Sequence, residues 1–445
     1  MDDAVYQYQH ARSPKELLFQ FTRCMVHFAV DDAQVKFCTR LQGKESWFLP
    51  FNKGYKDGAG NPPNPDGLMT DYLWKQVLTK DMLSRIIENY ATLVEEKDEE
   101  TGKTRYKQIF PRYHQLTAVE SLLADVKKNG VGNRYLIQHS AGSGKSNSIA
   151  WLAHQLTGLE DAQGNLLVDS VIVVTDRVVL DKQIRDTIRQ FAQTRNIIAW
   201  AEHSGDLRKA IEDGRRIIIT TIGKFPYVLP EIGEDHKDRH FDIIIDEAHS
   251  SQNGKTAGTM NMTLSAIMSD PDMDNEDKIN AMCEGKKLLT NASYFAFTAT
   301  PKNKTLETFG TAYEDAGVIK HRPFHVYTMK QAIQEGFILD VLKYYTPIDS
   351  YYRLKKTVED DPMFDKKKAQ KKLRAFVENQ TFTIAQKADM MVSHFHEQVI
   401  AKGKIGGQAR AMIITSSIER CIEYYHAVNK CLANRHSPYK AIIAF

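Results

Sequence analysis

Near-continuous runs of Ile, Val and aromatic residues recur through the middle of the chain, separated by stretches with helical periodicity. Six stand out: Tyr135–His139, Val171–Asp176, Ile197–Ala201, Arg216–Thr221, Phe241–Glu247 and Ser293–Thr298. Runs that are apolar at successive positions belong to parallel strands covered on both faces. Ser146–Leu156 and Leu180–Phe191 carry helix patterns between them. This alternation predicts an α/β fold, a doubly wound parallel sheet over about residues 108–320.

Upstream the pattern is mixed. Gly54–Gly67 is rich in Gly, Pro and Asn and predicts a long loop, Asp71–Leu93 predicts a helix, and the charged Glu95–Lys103 predicts an exposed connector. Downstream, Met329–Gly336 reads as helix, Phe337–Thr346 as extended chain and Tyr352–Lys402 as a charged, largely helical stretch. Ala411–Ser416 and Lys440–Phe445 have the pattern of buried strands in a second α/β domain. The last of these is still open at Phe445, which points to a piece of a longer protein. The expected division is 1–105, 106–325 and 326–445, with a helical charged insertion at 351–402.

Composition narrows the class. The chain has 445 residues, 42% apolar and 26% charged, ordinary values for a soluble globular protein of several domains. No apolar run reaches the ~20 residues of a bilayer span, and Met1-Asp2-Asp3 does not begin a secretory signal. Cys24, Cys38, Cys283, Cys421 and Cys431 are scattered and show no CxxC spacing, which fits a reducing cytoplasm and neither a disulfide framework nor a zinc site. The net charge of +3 neither demands nor excludes a nucleic-acid partner.

The candidate chemistry lies at strand ends. His139-Ser-Ala-Gly142-Ser143-Gly144-Lys145-Ser146 follows one apolar run and opens a helix. Glycines let backbone N–H groups wrap phosphates, Lys145 reaches the β/γ-phosphates and the Ser146 hydroxyl ligates Mg2+. The strict pattern has glycine where His139 stands, but the strand–loop–helix context supports ATP binding. Asp246-Glu247-Ala248-His249 closes another run. Asp246 is the expected partner of the metal and Glu247 the base that orients water. Buried paired carboxylates need such a partner, although helix capping would account for a lone acidic pair. Arg112 and Gln115 open a helix before the loop, where Gln115 matches the donor–acceptor edge of adenine and Phe110 or Tyr113 packs on the ring; a plain polar helix start is the other account. His249, Thr298 and Thr300 are placed to couple nucleotide state to a second domain. Arg177, Thr220 and Thr221 follow strands and suit nucleic-acid phosphates, with ordinary capping as the competing account. Lys366–Arg374 is read as a solvated helix face, with DNA contact the lesser alternative.

In this order the motifs resemble superfamily 2 helicases and translocases. The finer texture is similar to the R (restriction and motor) subunits of type I restriction enzymes. It is carried by Phe110–Gln115, Leu136–His139 running into Gly142–Ser146, Asp176-Arg177 with Leu180-Asp181, and Thr220–Phe225. Ser251-Gln252 after the acidic motif, Phe297–Pro301, Gln334–Asp340, Phe28–Asp31 and Pro50–Gly54 extend it. The resemblance implies two RecA-like motor domains, ATP and Mg2+ as cofactors, and a duplex DNA translocase. It also implies double-stranded DNA, a methyltransferase (modification) subunit and a specificity subunit as partners. Residues 1–105 would be the remnant of a nuclease domain and its linker. The family's nuclease acids are missing upstream of Tyr6-Gln7, and the second motor domain stops before the arginine motif. Two other outputs stay open at this point: a stand-alone helicase on RNA or DNA repair intermediates, and a module that only binds nucleotide.

Overall fold

The computed structural model describes residues 1–97, 104–175, 187–189, 198–201, 203–221, 236–246, 291–340, 381–401 and 410–444. They fall into two compact units, Met1–Thr346 and Pro347–Phe445.

The first unit is built on a seven-stranded parallel sheet. Its strands are β6 (Arg134–His139), β7 (Ser170–Thr175), β8 (Ile198–Trp200), β9 (Ile217–Thr221), β10 (Phe241–Ile245), β11 (Ala292–Thr298) and β14 (His325–Tyr327). The spatial order is β14-β6-β11-β10-β7-β9-β8, and each neighbouring pair is parallel. This is the α/β architecture, a doubly wound parallel sheet, expected from the alternating pattern. All six anticipated strands form. The seventh, β14, has only three residues and pairs Tyr327 with His139. Every residue of β7, β10 and β11 is buried, because apolar layers cover both faces. The helix expected over Leu180–Phe191 lies mostly outside the described residues.

Two helices put chemistry on this sheet. α3 (Tyr113–Asn129) starts with a reciprocal cap in which the Arg112 N–H donates to Gln115 Oε1 at 2.9 Å, and it ends at Gly130 with φ +74°. α4 (Lys145–Thr157) buries Ile149, Trp151, Leu152 and Leu156. The Trp151 indole N–H donates to the Tyr90 carbonyl at 3.1 Å, which ties α4 to upstream chain.

That upstream chain is part of the same body. α1 (Asp2–Tyr6) precedes a three-stranded antiparallel sheet of β1 (His27–Val30), β2 (Val35–Cys38) and β3 (Leu49–Pro50). Phe28, Phe37 and Phe51 from this region meet Phe110 at centroid distances of 5.6–6.3 Å. One core therefore runs from Val35 to Phe297 across the expected boundary at 105, and the unit continues past 325 to Thr346.

Three upstream and downstream expectations are corrected. Asp71–Leu93 is not one helix: a π-helical turn at Leu73–Val77 stops, Thr79 Oγ1 caps Met82 N–H, and α2 (Lys80–Asn89) begins. Of the charged connector, residues 95–97 lie in β4 (Thr92–Lys97), which pairs antiparallel to β5 (Thr104–Ile109), and 98–103 lie outside the described residues. In the second unit, α8 (Thr381–His394) and α9 (Ile418–Asn434) pack through Ala388, Val392, Val428 and Leu432. Residues 411–415 and 441–444 beside them form no ladder among the described residues, and Met412, Ile414 and Ile442 are 83–93% exposed. The buried strands expected there are absent from the described chain, because a strand needs a ladder to satisfy its backbone. Between β11 and β14 lie α6 (Asn303–Phe309) and the exposed hairpin of β12 (Thr311–Asp315) and β13 (Val318–Arg322); α7 (Met329–Gln334) follows β14. α5 (Ser204–Glu212) connects β8 to β9.

Candidate active site

The C-terminal ends of the parallel strands make one rim. Along it stand Tyr327, His139, Thr298, Asp246, Thr175 and Thr221, in the order of their strands. Ligands of doubly wound sheets bind on this rim, where helix N-termini also point. β11 lies between β6 and β10. The phosphate loop and Asp246 are therefore two strand spacings apart, roughly 10 Å between strand axes. The residues that would hold a phosphate and a cation thus share one edge of the sheet.

The loop runs from Ser140 into α4. Gly142 and Gly144 have φ of +71° and +79°, the left-handed region in which a Cβ is strained. A Cβ on Gly144 would also stand 2.5 Å from Gln115 Nε2. Gly144 is the N-cap of α4 and no side chain caps that end. The helix thus presents open N–H groups and a partial positive charge to an anion.

α3 fixes the loop from behind. Arg112 Nη2 donates to the Gly142 carbonyl at 2.8 Å, and Gln115 Nε2 donates to that of Gly144 at 2.9 Å. His114 Nε2 lies 3.0 Å from the carbonyl of Ser143. A carbonyl only accepts, so this nitrogen carries the proton. Three successive loop carbonyls are thus drawn toward α3, away from the cradle. Gln115 is 2% exposed, and its amide bridges the start of α3 and the loop, accepting from the Arg112 N–H and donating to the Gly144 carbonyl. Phe110, named for ring packing, is held in the aromatic core; Tyr113 is half-buried against Phe51 and Tyr72, and burial pushes its hydroxyl up to about 12.

Asp246 is 7% exposed, and its N–H donates to the Val174 carbonyl at 2.9 Å, which extends the ladder by one residue and holds the carboxylate on the rim. With the Ser146 hydroxyl it makes a donor set of hard oxygens. Among the described residues no three His, Cys, Asp or Glu side chains gather for a metal. A hydroxyl, one carboxylate and phosphate oxygens are the ligands Mg2+ takes, so the residues present fit it. Thr298 is fully buried between the loop strand and the acid strand, and its hydroxyl accepts from the Thr300 N–H at 3.3 Å, while Thr300 is exposed. Thr220 is 1% exposed, with its carbonyl facing the Thr175 hydroxyl, and only Thr221 is half-open at the strand end. Arg177, Glu247 and His249 lie outside the described residues.

Residues 114–375 match the model of the SWI2/SNF2 ATPases, more than half of the chain. The C-terminal part of the MpnIIP type I restriction enzyme endonuclease subunit of Mycoplasma pneumoniae is 31% identical over 159 residues, 32% of this chain and 73% of that one. The chain is a SWI2/SNF2 ATPase of the type I restriction endonuclease-subunit family. An endonuclease subunit of a Staphylococcus aureus type I enzyme (strain MSSA476) is 27% identical over 235 residues, 51% of this chain. This ATPase spans about a fifth of that relative's length, 21%. Among solved structures, a fragment of a type I HsdR subunit from Vibrio vulnificus YJ016 covers 93% of the ATPase and 69% of its own chain, with 14% identity and a TM-score of 0.40.

Sequence reasoning missed several groups on this rim: His114, His325, Tyr327 and Glu335. Tyr327 stacks on His114 with centroids 3.7 Å apart and donates its hydroxyl to Glu335 Oε2 at 2.7 Å. Gln331 Nε2 donates to the other oxygen of Glu335 at 2.8 Å. Phe337 lies under the Arg112 guanidinium at 4.0 Å, and Ile338 is close enough that a Cβ on Gly142 would meet it at 3.2 Å. The signal was His139 itself, a large ring where the strict loop has glycine.

Proposed function

We propose that this ATPase is the duplex-DNA translocase motor of a type I restriction enzyme, driven by ATP with Mg2+. What supports the reading is one arrangement: the glycine loop and Asp246 stand on the same sheet rim with a single strand between them, in a chain of this family. Lys145 takes the β/γ-phosphates, the left-handed glycines open the loop's N–H groups to them, and Ser146 and Asp246 hold the metal. Mg2+ supplies charge neutralisation at the β/γ-oxygens. Glu247 orients and deprotonates the attacking water. Arg112 and Gln115 shape the loop, and Gln115 offers its remaining donor and acceptor to adenine. His249, Thr298 and Thr300 pass nucleotide state onward. Arg177 and Thr221 contact DNA phosphates, and Thr220, buried at the strand end, supports Thr221. The second unit contributes to a second motor lobe.

In the full assembly the partners are double-stranded DNA and the methyltransferase and specificity subunits, and the parent enzyme cuts unmethylated DNA at a distance. The complex works in the cytoplasm; none of the described helices is long and apolar enough to cross a membrane. The test separates binding from chemistry. Lys145→Ala is expected to lose ATP affinity. Glu247→Gln is expected to keep it and lose turnover by roughly 100-fold or more. Wild-type turnover in Glu247→Gln would refute the role given to that carboxylate.

A further inference from the structure

Three histidines from three elements meet beneath the phosphate loop, and their protons can be assigned. The Thr117 hydroxyl donates to the Tyr113 carbonyl at 3.0 Å, so its oxygen accepts from His325 Nε2–H at 3.2 Å. His325 Nδ1 is then the acceptor for His139 Nε2–H at 2.9 Å. His139 is left with a bare Nδ1, buried and without a partner among the described residues. His114 stands edge-on to His139, centroids 5.4 Å apart, lies flat on Tyr327, and gives its own Nε2–H to Ser143. A neutral His139–His325 pair satisfies these contacts: a proton added to His325 Nδ1 would face the N–H of His139, and one added to His139 Nδ1 would find no acceptor among the described residues.

We propose that His114 is a positioning residue of the phosphate loop. Its Nε2–H holds the Ser143 carbonyl out of the anion cradle, and the strand carrying His325 and Tyr327, by fixing the ring, sets the loop's shape from outside the nucleotide site. This rests on the reading of Lys145 and Ser146 as the triphosphate site. Tyr327 is itself pinned at both ends, its hydroxyl by Glu335 and its carbonyl by the Ser140 N–H at 3.0 Å. The plane of the His114 ring is thus held by Tyr327, and its contact with the Ser143 carbonyl sets which edge faces the loop. Burial, with the Arg112 guanidinium adding to it, holds the His114 pKa well below the ordinary imidazole range, so the ring is neutral at neutral pH, and the Ser143 carbonyl selects the tautomer with its proton on Nε2. The charged and titratable groups facing the cluster are Arg112 from the start of α3, Lys145 from the loop, and Glu335 after α7.

The test uses the whole chain and ATP with Mg2+ in titration calorimetry, so no turnover is needed. His114→Phe keeps a flat ring on Tyr327 and removes the donor. His114→Gln returns an N–H at the same bond reach from the backbone. The expected result is ATP affinity weakened about tenfold in His114→Phe, the worth of one hydrogen bond, and restored to within about twofold in His114→Gln. A merely structural role would lower thermal stability in both variants without this split. Wild-type affinity in a folded His114→Phe overturns the proposal while leaving the site reading intact. A Lys145→Ala variant that binds ATP as tightly as wild type overturns the site reading and the proposal with it.

Discussion

Replacing Gly144 by alanine strikes the point where loop, helix and clamp meet. At φ +79° the new Cβ strains the backbone, which costs roughly 1–2 kcal/mol. That Cβ also lies 2.5 Å from Gln115 Nε2 and 3.0 Å from Arg112 Nη2, so at least one donor must leave its loop carbonyl. Losing one such bond adds about 1 kcal/mol, and losing both about 2. The loop can relieve this load by turning away from its cradle geometry. The cost of roughly 2–4 kcal/mol then appears as a smaller population of binding-competent loop, and apparent ATP affinity falls by roughly 30- to 900-fold. Because the loop is at the surface end of the sheet, the melting temperature should change little. The assay is ATP titration on wild type and Gly144→Ala, with circular dichroism melts as the folding control. A folded variant that binds ATP within threefold of wild type would refute the claim that left-handed glycine geometry and the α3 clamp shape this site.

Three further outcomes follow from buried groups. Trp151→Ala empties a fully buried site and breaks the bond to the Tyr90 carbonyl, so a loss of ~3–5 kcal/mol is expected in urea unfolding. His114 and His139 are held well below the ordinary imidazole value of 6.5, and His325 is lowered to about 4, in each case chiefly by burial. The native state therefore takes up fewer protons than the unfolded chain below that value. Stability should be full above pH 6.5 and fall as the pH drops below it toward 4, read as urea midpoints across the range. Asp242 acts in the opposite sense: burial raises its carboxyl to about 7, with the Ser293 hydroxyl pulling it back. Its contribution is complete below 3.8 and is lost as pH rises through about 7, so Asp242→Asn should raise the unfolding midpoint at pH 8 and leave it unchanged below pH 4.

The central sheet was legible because its strands are apolar on both faces, a pattern that few other elements share. β14 escaped notice because His325-Val326-Tyr327 is too short for periodicity, and its place is set by a ladder to β6 that no local signal announces. The β4–β5 hairpin was read as a connector for a similar reason: its residues are largely exposed, so cross-strand pairing holds it together and burial leaves no stripe. The shared core of the N-terminal region was hidden because Phe28, Phe37, Phe51 and Phe110 come together only in three dimensions. At the site, the loop and Asp246 were found from residue type and strand-end position. The hydrogen bonds that shape the loop were not, because a histidine that donates to a carbonyl looks like any other histidine in sequence. Gln115 shows the same limit: its type suggests adenine, and its position adds a grip on Gly144.

The most direct test of the motor account is ATP turnover by this chain with and without long duplex DNA, beside Lys145→Ala. The account predicts Mg2+-dependent turnover that duplex DNA stimulates and Lys145→Ala abolishes. Turnover that ignores duplex DNA, or that survives in Lys145→Ala, would contradict it.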